Sequence, residues 1–156
     1  MCGIAGLLVA DSTKRADPTV VKHMCDALAH RGPDGEGYFS EGPVALGMRR
    51  LAIIDVAGGQ QPIGNEDQSV QVVFNGEIYN FQELRAETEA KGHRYATRSD
   101  TEVLVHLYEE HGDEMVQKLR GMFAFALWDG KRQRLLAARD RVGKKPFIYF
   151  EKDGRF

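Results

Sequence analysis

The chain has 156 residues, of which 42% are hydrophobic and 28% are charged, and its formal net charge is −2. This composition is that of a globular protein, and a chain of this length buries roughly 70% of its unfolded surface, so we expect one domain with its own core. The balanced charge argues against binding to nucleic acid or to an anionic membrane, because both require a surplus of basic residues.

Signals for membrane insertion, secretion and metal binding are weak. The longest uncharged apolar stretch near the start, residues 3–10, is too short to span a bilayer and follows no basic segment. Two cysteines cannot build a disulfide framework or a CxxC site, and the five histidines show no paired metal-ligand spacing. We therefore expect a cytoplasmic protein with no metal site.

Apolar runs of strand length recur along the chain, separated by turn signals. The first run is buried on both faces if it is a strand, and a turn-rich loop is expected at residues 31–37. The fourth and fifth runs flank Asp129-Gly130, which is typical of a hairpin turn. The predicted strands cover residues 3–9, 44–54, 70–74, 122–128, 135–138 and 147–150.

The first predicted helix has a clear start signal, with Asp17 as N-cap and Pro18 at the first helical position. Its apolar residues recur at helical spacing, and we expect it to end near residue 30. Strands combined with two or three helices indicate an α+β fold, with helices packed on antiparallel sheets.

Two further helices are predicted from capping boxes. Asn80 with Glu83 three residues later has this pattern, and Ser99 with Glu102 repeats it. Beyond them, Asp153-Gly154 is a turn signal that only two residues follow, so no return strand is expected within this sequence. We therefore expect the natural chain to continue, and residues 1–156 to be one domain that is incomplete at its C-terminal end.

The first residue that could carry chemistry is Cys2, which directly follows Met1. Without Met1, this residue would hold a thiol and a free α-amine, whose ordinary pKa values are about 8.5 and about 7.7–8.0. The amine could take the thiol proton near neutral pH, so that one residue supplies both nucleophile and base. The alternative is a small apolar residue that opens a strand.

Asn75 and Gly76 directly follow the predicted strand at residues 70–74. In a tight turn at a strand end, an Asn amide and a Gly backbone N–H can donate to one oxygen, as an oxyanion hole requires. The alternative is an ordinary hairpin, because Asn-Gly is also a strong signal for that turn.

Two charged groups suggest recognition of a zwitterion. Arg49 and Arg50 lie in the apolar run at residues 44–54, so one of them must point inward, where a guanidinium can clamp a carboxylate. Asp100 could face a ligand ammonium. The alternatives are a strand end with two solvated arginines and a helix start that favours acidic residues.

Six blocks of the sequence, in order, resemble the class II glutamine amidotransferase domain. They are MCGIAG at 1–6, HRGPD at 30–34, RLAIID at 50–55, NGEIYN at 75–80, SDTE at 99–102 and RDRVGKKP at 139–146. HRGPD and NGEIYN have the form found in the asparagine synthetase branch. The resemblance covers the whole chain and implies the N-terminal-nucleophile hydrolase fold, a four-layer αββα sandwich.

The resemblance also implies an activity, the hydrolysis of L-glutamine to glutamate and ammonia. Cys2 would attack the side-chain amide to form a γ-glutamyl thioester, with its own α-amine as base and acid. Asn75 and the Gly76 N–H would stabilise the tetrahedral oxyanion. Arg50 would hold the substrate α-carboxylate, the Ile53 and Ile54 backbone would line the pocket, and Glu77 and Asp100 would receive the α-ammonium.

In this family, the ammonia passes to an ATP-dependent synthetase domain, whose SGGxDS-type loop does not occur in this sequence. The resemblance therefore implies no cofactor here, with ATP and Mg²⁺ bound only by that domain. The acceptor, aspartate or another carboxylate, and association into homo-oligomers stay open. Met48 replaces the usual His of the family, and the alternative function is a non-catalytic glutamine-binding or assembly module.

Overall fold

The computed structural model describes residues 1–55 and 57–156. Short 3₁₀ turns lie at Ala29–Arg31 and Gly112–Glu114. The strands and α-helices, in chain order, are β1 (Gly3–Leu8), α1 (Pro18–Ala27), β2 (Gly35–Glu41), β3 (Val44–Arg50), β4 (Ile63–Gly64), β5 (Val70–Ile78), α2 (Phe81–Ala90), α3 (Val103–His111), α4 (Met115–Lys118), β6 (Gly121–Asp129) and β7 (Arg134–Arg139).

The strands form two antiparallel sheets that pack face to face. The first sheet has the order β1-β3-β2 and the second has the order β4-β5-β6-β7. Leu46 and Met48 of β3 pack between the sheets against Val73 of β5 and Trp128 of β6. Since side chains alternate along a strand, the opposite face of each sheet is left for a helix.

Helices cover both outer faces, which confirms the predicted α+β sandwich. Val21 and Cys25 of α1 pack against Ala45 on the first sheet. On the second sheet, a larger core joins α2 and α3 to Phe74 and Phe125. The layers therefore follow the order helix, sheet, sheet, helix.

A glycine on β3 lets α1 approach the first sheet closely. A Cβ at Gly47 would lie 2.8 Å from both Cys25 Sγ and Val21 Cγ1, the two buried side chains of α1. The small residues on this face of β3 therefore determine how near the helix lies.

Local signals placed two elements correctly. Asp17 caps α1, because its carboxylate accepts a hydrogen bond from the Thr19 backbone N–H at 2.9 Å. The predicted hairpin is confirmed, since β6 and β7 pair in antiparallel register with Asp129 opposite Arg134.

Neither predicted capping box forms. The Asn80 side chain instead donates to the Lys118 carbonyl at 3.1 Å and accepts from the Arg120 N–H at 3.0 Å. The Glu102 carboxylate accepts from the Ala96 and Thr97 backbone N–H groups, both at 2.7 Å. Neither side chain takes part in a capping box, because its polar atoms already form hydrogen bonds with other backbone groups.

Several predicted strand limits are wrong. β2 begins at Gly35, inside the segment predicted as a loop, and β3 ends at Arg50 rather than at residue 54. β1 is only half-buried, and residues 147–150 form no strand and expose Ile148 and Phe150. An apolar run thus indicated a strand correctly only where a partner strand was available.

Residues 155 and 156 follow the turn at 153–154 and fold back beside β1. Lys152 and Arg155 exchange backbone hydrogen bonds at 2.9 Å, and Leu8 and Phe156 do so at 2.8 Å. The last two residues therefore contact the free edge of β1 through isolated hydrogen bonds, and they form no strand of their own.

No helix in the described part of the chain is long and apolar enough to cross a membrane.

Candidate active site

A cavity of about 140 Å³ lies at one end of the interface between the sheets, where β1 begins and where β3 and β5 end. Every residue to which sequence analysis assigned a role lines this cavity, although those residues are spread from position 2 to position 100 in the chain. They are Cys2, Arg50, Ile53, Ile54, Asn75, Gly76, Glu77 and Asp100.

A larger cavity, of about 570 Å³, lies elsewhere, between β1 and the segment at residues 146–156. Its walls are mainly apolar, and none of the predicted site residues lines it. We place the candidate site in the smaller cavity, because that cavity holds a thiol, a guanidinium and carboxylates together.

Cys2 is half-buried at the start of β1, and its sulfur is held by the backbone of Leu51. The Leu51 N–H donates to Cys2 Sγ at 3.4 Å, and the thiol faces the Leu51 carbonyl at 3.7 Å. These two backbone contacts fix the position of the sulfur. Burial raises the pKa of the second thiol, Cys25, to about 11, so Cys25 is unsuited to nucleophilic attack.

The two neighbouring arginines of β3 point to opposite faces of the sheet, as the alternation of side chains along a strand requires. Arg49 points toward α1 and forms ion pairs with Asp26 at 2.9 Å and Glu36 at 2.6 Å. Arg50 points into the cavity and is only 6% exposed. Of the two arginines, Arg50 is therefore the one that can meet a ligand.

The backbone after β3 fixes the orientation of the Arg50 guanidinium. Its Nη2 donates to the Ile54 carbonyl at 3.2 Å and to the Asp55 carbonyl at 2.7 Å. A Cβ at Gly59 would lie 2.8 Å from the same nitrogen, so a larger residue there would displace the guanidinium. Backbone contacts thus hold this cation in place before any ligand arrives.

Asn75 and Gly76 lie inside β5 and do not form a turn. Asn75 pairs with Ala124 and Gly76 with Phe123 in the ladder to β6, so both the strand-end turn and the hairpin are wrong. A Cβ at Gly76 would lie 2.2 Å from the Met122 carbonyl oxygen. Glycine is needed here because the two strands approach more closely than a side chain would allow.

The direction of the Gly76 N–H follows from its neighbours in β5. The Phe74 N–H donates to Gln61 Oε1 at 2.7 Å, and the Ile78 N–H donates to Asp100 Oδ2 at 2.9 Å. Both donors face the edge of β5 that lies away from β6. Since N–H directions alternate along an antiparallel strand, the Gly76 N–H faces that edge too, between Gln61 and Asp100, which both line the cavity.

Two carboxylates contribute negative charge to the cavity. Asp100 is only 4% exposed, and burial raises its pKa above the ordinary value, with the nearby charge of Glu77 adding to the effect. The hydrogen bond from the Ile78 N–H opposes this shift without cancelling it. A cationic group placed beside Asp100 would stabilise its ionised form.

Sequence analysis missed Lys145, which also lines the cavity and is only 5% exposed. Its Nζ lies 3.0 Å from Met1 Sδ, and its backbone N–H donates to the buried carboxylate of Asp140 at 3.0 Å. Lys145 lies in the block at 139–146, but the basic stretch there lacks the spacing of a phosphate loop, so this residue was assigned no role. Only the folding of that turn brings Lys145 next to Met1.

Met48, by contrast, does not line the cavity. It is fully buried and packs between the two sheets, with Leu46 and Trp128. The role of Met48 in this structure is therefore to fill the space between the two sheets.

The family model described as "Glutamine amidotransferase domain" matches residues 1–156. The chain is 46% identical over 153 residues to asparagine synthetase [glutamine-hydrolyzing] 1 of Bacillus subtilis, which covers 96% of this chain and 24% of that protein. It is also 46% identical over 155 residues to an asparagine synthetase [glutamine-hydrolyzing] of Asparagus officinalis, with coverages of 99% and 26%. The chain thus spans about a quarter of the length of these relatives.

The fold is similar to that of a solved structure, glutamine phosphoribosylpyrophosphate amidotransferase from B. subtilis. The TM-score is 0.70 at 21% sequence identity, over 88% of this chain and 37% of that chain. At this level of identity the match is a likeness of fold, and it agrees with the layered sandwich described above.

We expect Asp100→Asn to change how stability depends on pH. The pKa of Asp100 is raised in the folded state above its unfolded value of about 3.9, so folding disfavours the ionised form. The wild type therefore loses stability as the pH rises from the unfolded pKa to the folded pKa of this carboxyl. An amide oxygen still accepts from the Ile78 N–H and does not ionise. The variant should therefore gain stability relative to the wild type between pH 4 and pH 7 in urea unfolding.

The matched control for that measurement is Asp153→Asn. Asp153 is exposed in a turn at φ 51°, a conformation that Asn tolerates. Because this substitution removes no buried carboxylate, the difference in stability between the variant and the wild type should be the same at pH 4 and at pH 7. An equal loss of stability in Asp100→Asn at both pH values would contradict the prediction.

Proposed function

This chain belongs to the glutamine amidotransferase domain family, and we propose that it hydrolyses L-glutamine to glutamate and ammonia through a γ-glutamyl thioester on Cys2. The observation that carries this proposal is the meeting of a thiol, a guanidinium, a buried carboxylate and two candidate oxyanion donors in one cavity. A zwitterionic substrate with a reactive side-chain amide needs this combination of groups.

The proposed reaction begins at the first residue after Met1. The free α-amine of Cys2 takes the thiol proton, and the sulfur attacks the side-chain amide carbon of glutamine. The α-ammonium of Cys2 then protonates the amide nitrogen of the substrate, which leaves as ammonia when the tetrahedral intermediate collapses to the thioester. Water, activated by the same amine, hydrolyses the thioester to glutamate and restores the thiol.

Asn75 and Gly76 are the proposed oxyanion donors. The Asn75 side chain lines the cavity, and the Gly76 N–H faces the edge of β5 on the same cavity. Both groups belong to a strand that is paired along its length with β6, so they need little reorganisation when negative charge develops on the substrate oxygen.

The rest of the cavity accounts for substrate recognition. Arg50 is proposed to bind the α-carboxylate through its planar guanidinium, beside the backbone of Ile53 and Ile54. Glu77 and Asp100 are proposed to bind the α-ammonium, which would stabilise the ionised form of Asp100. Ile53 has a 73% exposed side chain, so we assign it a backbone contribution only.

The proposed physiological role is to supply ammonia to a second domain. The relatives named as asparagine synthetases are about four times longer than this chain, and we propose that residues 1–156 are the glutaminase domain of such a protein, acting in the cytoplasm. On this proposal, ATP and Mg²⁺ are bound by the synthetase domain, and glutamine hydrolysis in this domain uses no cofactor.

We expect Cys2→Ala to abolish glutamine hydrolysis and to leave glutamine binding measurable, because Arg50 and Asp100 remain in place. The matched control is Cys25→Ala, which removes the other thiol, on the far side of the first sheet, and should retain turnover if it folds. Ammonia release and calorimetric titration with glutamine measure the two properties. Turnover near the wild-type rate in Cys2→Ala would overturn the mechanism, and binding without turnover in the wild type would favour a non-catalytic module.

We expect Asn75→Ala to lower kcat by roughly a hundredfold to a thousandfold and to change KM little, since an oxyanion donor acts mainly on the transition state. Steady-state kinetics separate the two constants. Asn80→Ala is the control, because Asn80 bonds two backbone groups at and after the end of α4, outside the cavity, and its loss should reduce stability without lowering kcat. A change in KM alone would make Asn75 a ground-state contact.

We expect a chain that retains Met1 to be inactive. The nitrogen of Cys2 is then an amide, which cannot accept a proton near neutral pH, and Met1 itself lines the cavity that the substrate must enter. Mass spectrometry identifies samples with and without Met1, and each is assayed for ammonia release. Full turnover by a homogeneous Met1-bearing sample would show that the α-amine is not the base.

A further inference from the structure

A second cluster of polar side chains lies outside the candidate active site, and none of its members lines that cavity. Glu66 comes from the loop between β4 and β5, His93 from the connection between α2 and α3, and His106 and Glu109 from α3. One nitrogen or carboxylate oxygen from each residue lies within 4.8 Å of those from the other three.

Four of the separations within this cluster have about the size expected for ligands around one metal ion. His106 Nδ1 lies 3.5 Å from a Glu66 carboxylate oxygen and 3.6 Å from Glu109 Oε2. His93 Nδ1 lies 3.6 Å from Glu109 Oε2 and from the second oxygen of Glu66. Tetrahedral ligands at about 2.0–2.2 Å from zinc are about 3.3–3.6 Å apart, whereas good hydrogen bonds are shorter than these contacts.

His106 supplies an independent reason to expect a ligand. Its side chain is fully buried, and within the described residues neither ring nitrogen has a hydrogen-bond partner. Buried polar atoms in proteins are nearly always satisfied, so an imidazole with two unsatisfied nitrogens requires an explanation. A cation bound to Nδ1 would satisfy the nitrogen that faces Glu66 and Glu109.

Each of the four residues also has a further polar partner outside the cluster. These partners are Glu110 Oε1 at 3.1 Å for His93 Nε2, Glu102 Oε1 at 3.7 Å for His106 Nε2, the Arg94 N–H at 2.8 Å for Glu66 Oε1, and Asn65 Nδ2 at 2.9 Å for Glu109 Oε1. A carboxylate behind a histidine and a hydrogen bond to a carboxylate are the contacts that orient metal ligands.

We propose that Glu66, His93, His106 and Glu109 bind one zinc ion, in a tetrahedral site with a structural role. Two imidazoles favour Zn²⁺ over the oxygen-selective ions Mg²⁺ and Ca²⁺, and two carboxylates balance its charge. Four protein ligands leave no position open for a substrate, as in structural zinc sites. Glu66 and Glu109 are partly exposed, which gives the ion a path to the site.

The ion would join three segments that lie apart in the sequence. These are the β4–β5 loop, the α2–α3 connection and α3 itself. Glu102, behind His106, also holds the backbone of Ala96 and Thr97, and the same segment carries Asp100 into the active-site cavity. The zinc ion would therefore stiffen the support of that carboxylate.

A proton is the alternative occupant of the cluster. Burial lowers the pKa of His106, but the carboxylates of Glu102, Glu109 and Glu66 outweigh this effect and raise it to about 9. Proton and zinc compete for the same nitrogen, so titration of the chain with the metal distinguishes the two occupants.

The test uses the full chain, treated with a chelator, and titrates it with Zn²⁺ by calorimetry and by competition with a chromophoric chelator. We expect one Zn²⁺ per chain, a higher Tm with zinc than without it, and, with Co²⁺ as probe, the intense visible absorption of a four-coordinate ion. Glu109→Gln and His93→Gln should each weaken Zn²⁺ binding by at least about tenfold. His111→Gln, which removes a histidine from the same helix outside the cluster, should retain the wild-type affinity.

Absence of stoichiometric Zn²⁺ binding by the folded wild-type chain would overturn the proposal. Equal affinity in the wild type and in Glu109→Gln would do so too, as would a loss in His111→Gln as large as in the cluster variants. None of these measurements depends on glutamine hydrolysis, so the zinc site and the proposed function can fail separately.

Discussion

The close pairing of β5 with β6 through Gly76 is the constraint on which the candidate active site depends. Because residue 76 has no side chain, the ladder continues to Ile78 without a break, past the point where a tight turn would have ended it. That continuation keeps the N–H groups of Phe74, Gly76 and Ile78 in line on the opposite edge. Two of these N–H groups are taken by Gln61 and Asp100, and the third is left facing the cavity between them.

Burial of the Asp100 carboxylate in this cavity lowers the stability of the ligand-free protein. The carbonyls of Ile54 and Asp55 accept hydrogen bonds from Arg50, while Asp100 is buried with a raised pKa. A zwitterionic ligand would bring a carboxylate to the guanidinium and an ammonium to the carboxylates, and the ammonium would offset the cost of burying Asp100. The protein thus gives up some stability, and the side chains that would bind the ligand are already in position.

The segment at residues 96–102 connects the two polar sites of the molecule. Asp100 points from it into the active-site cavity, while Glu102, two residues later, supports His106 in the second cluster. Both carboxylates also accept backbone N–H groups, from Ile78 in one case and from Ala96 and Thr97 in the other. Side-chain hydrogen bonds, rather than regular secondary structure, therefore determine the shape of this segment.

The sequence by itself determined features that depend on near neighbours. Asp17 and Pro18 began α1, and Asp129-Gly130 marked the β6–β7 hairpin, because in each case the deciding contacts lie within a few residues. The motif blocks identified the family and the residues of the candidate site, but not their arrangement.

Only the tertiary structure decided the features that depend on distant partners. Asn75-Gly76 carries a turn signal, yet it lies in a strand because β6 offers a pairing edge along the whole of β5. Asn80 left its expected cap for the backbone of Lys118 and Arg120, which lie 38 and 40 residues away. Lys145 lies in a motif block but received no role, and the cluster of Glu66, His93, His106 and Glu109 gave no signal, because residues far apart in the chain become neighbours only when the layers pack.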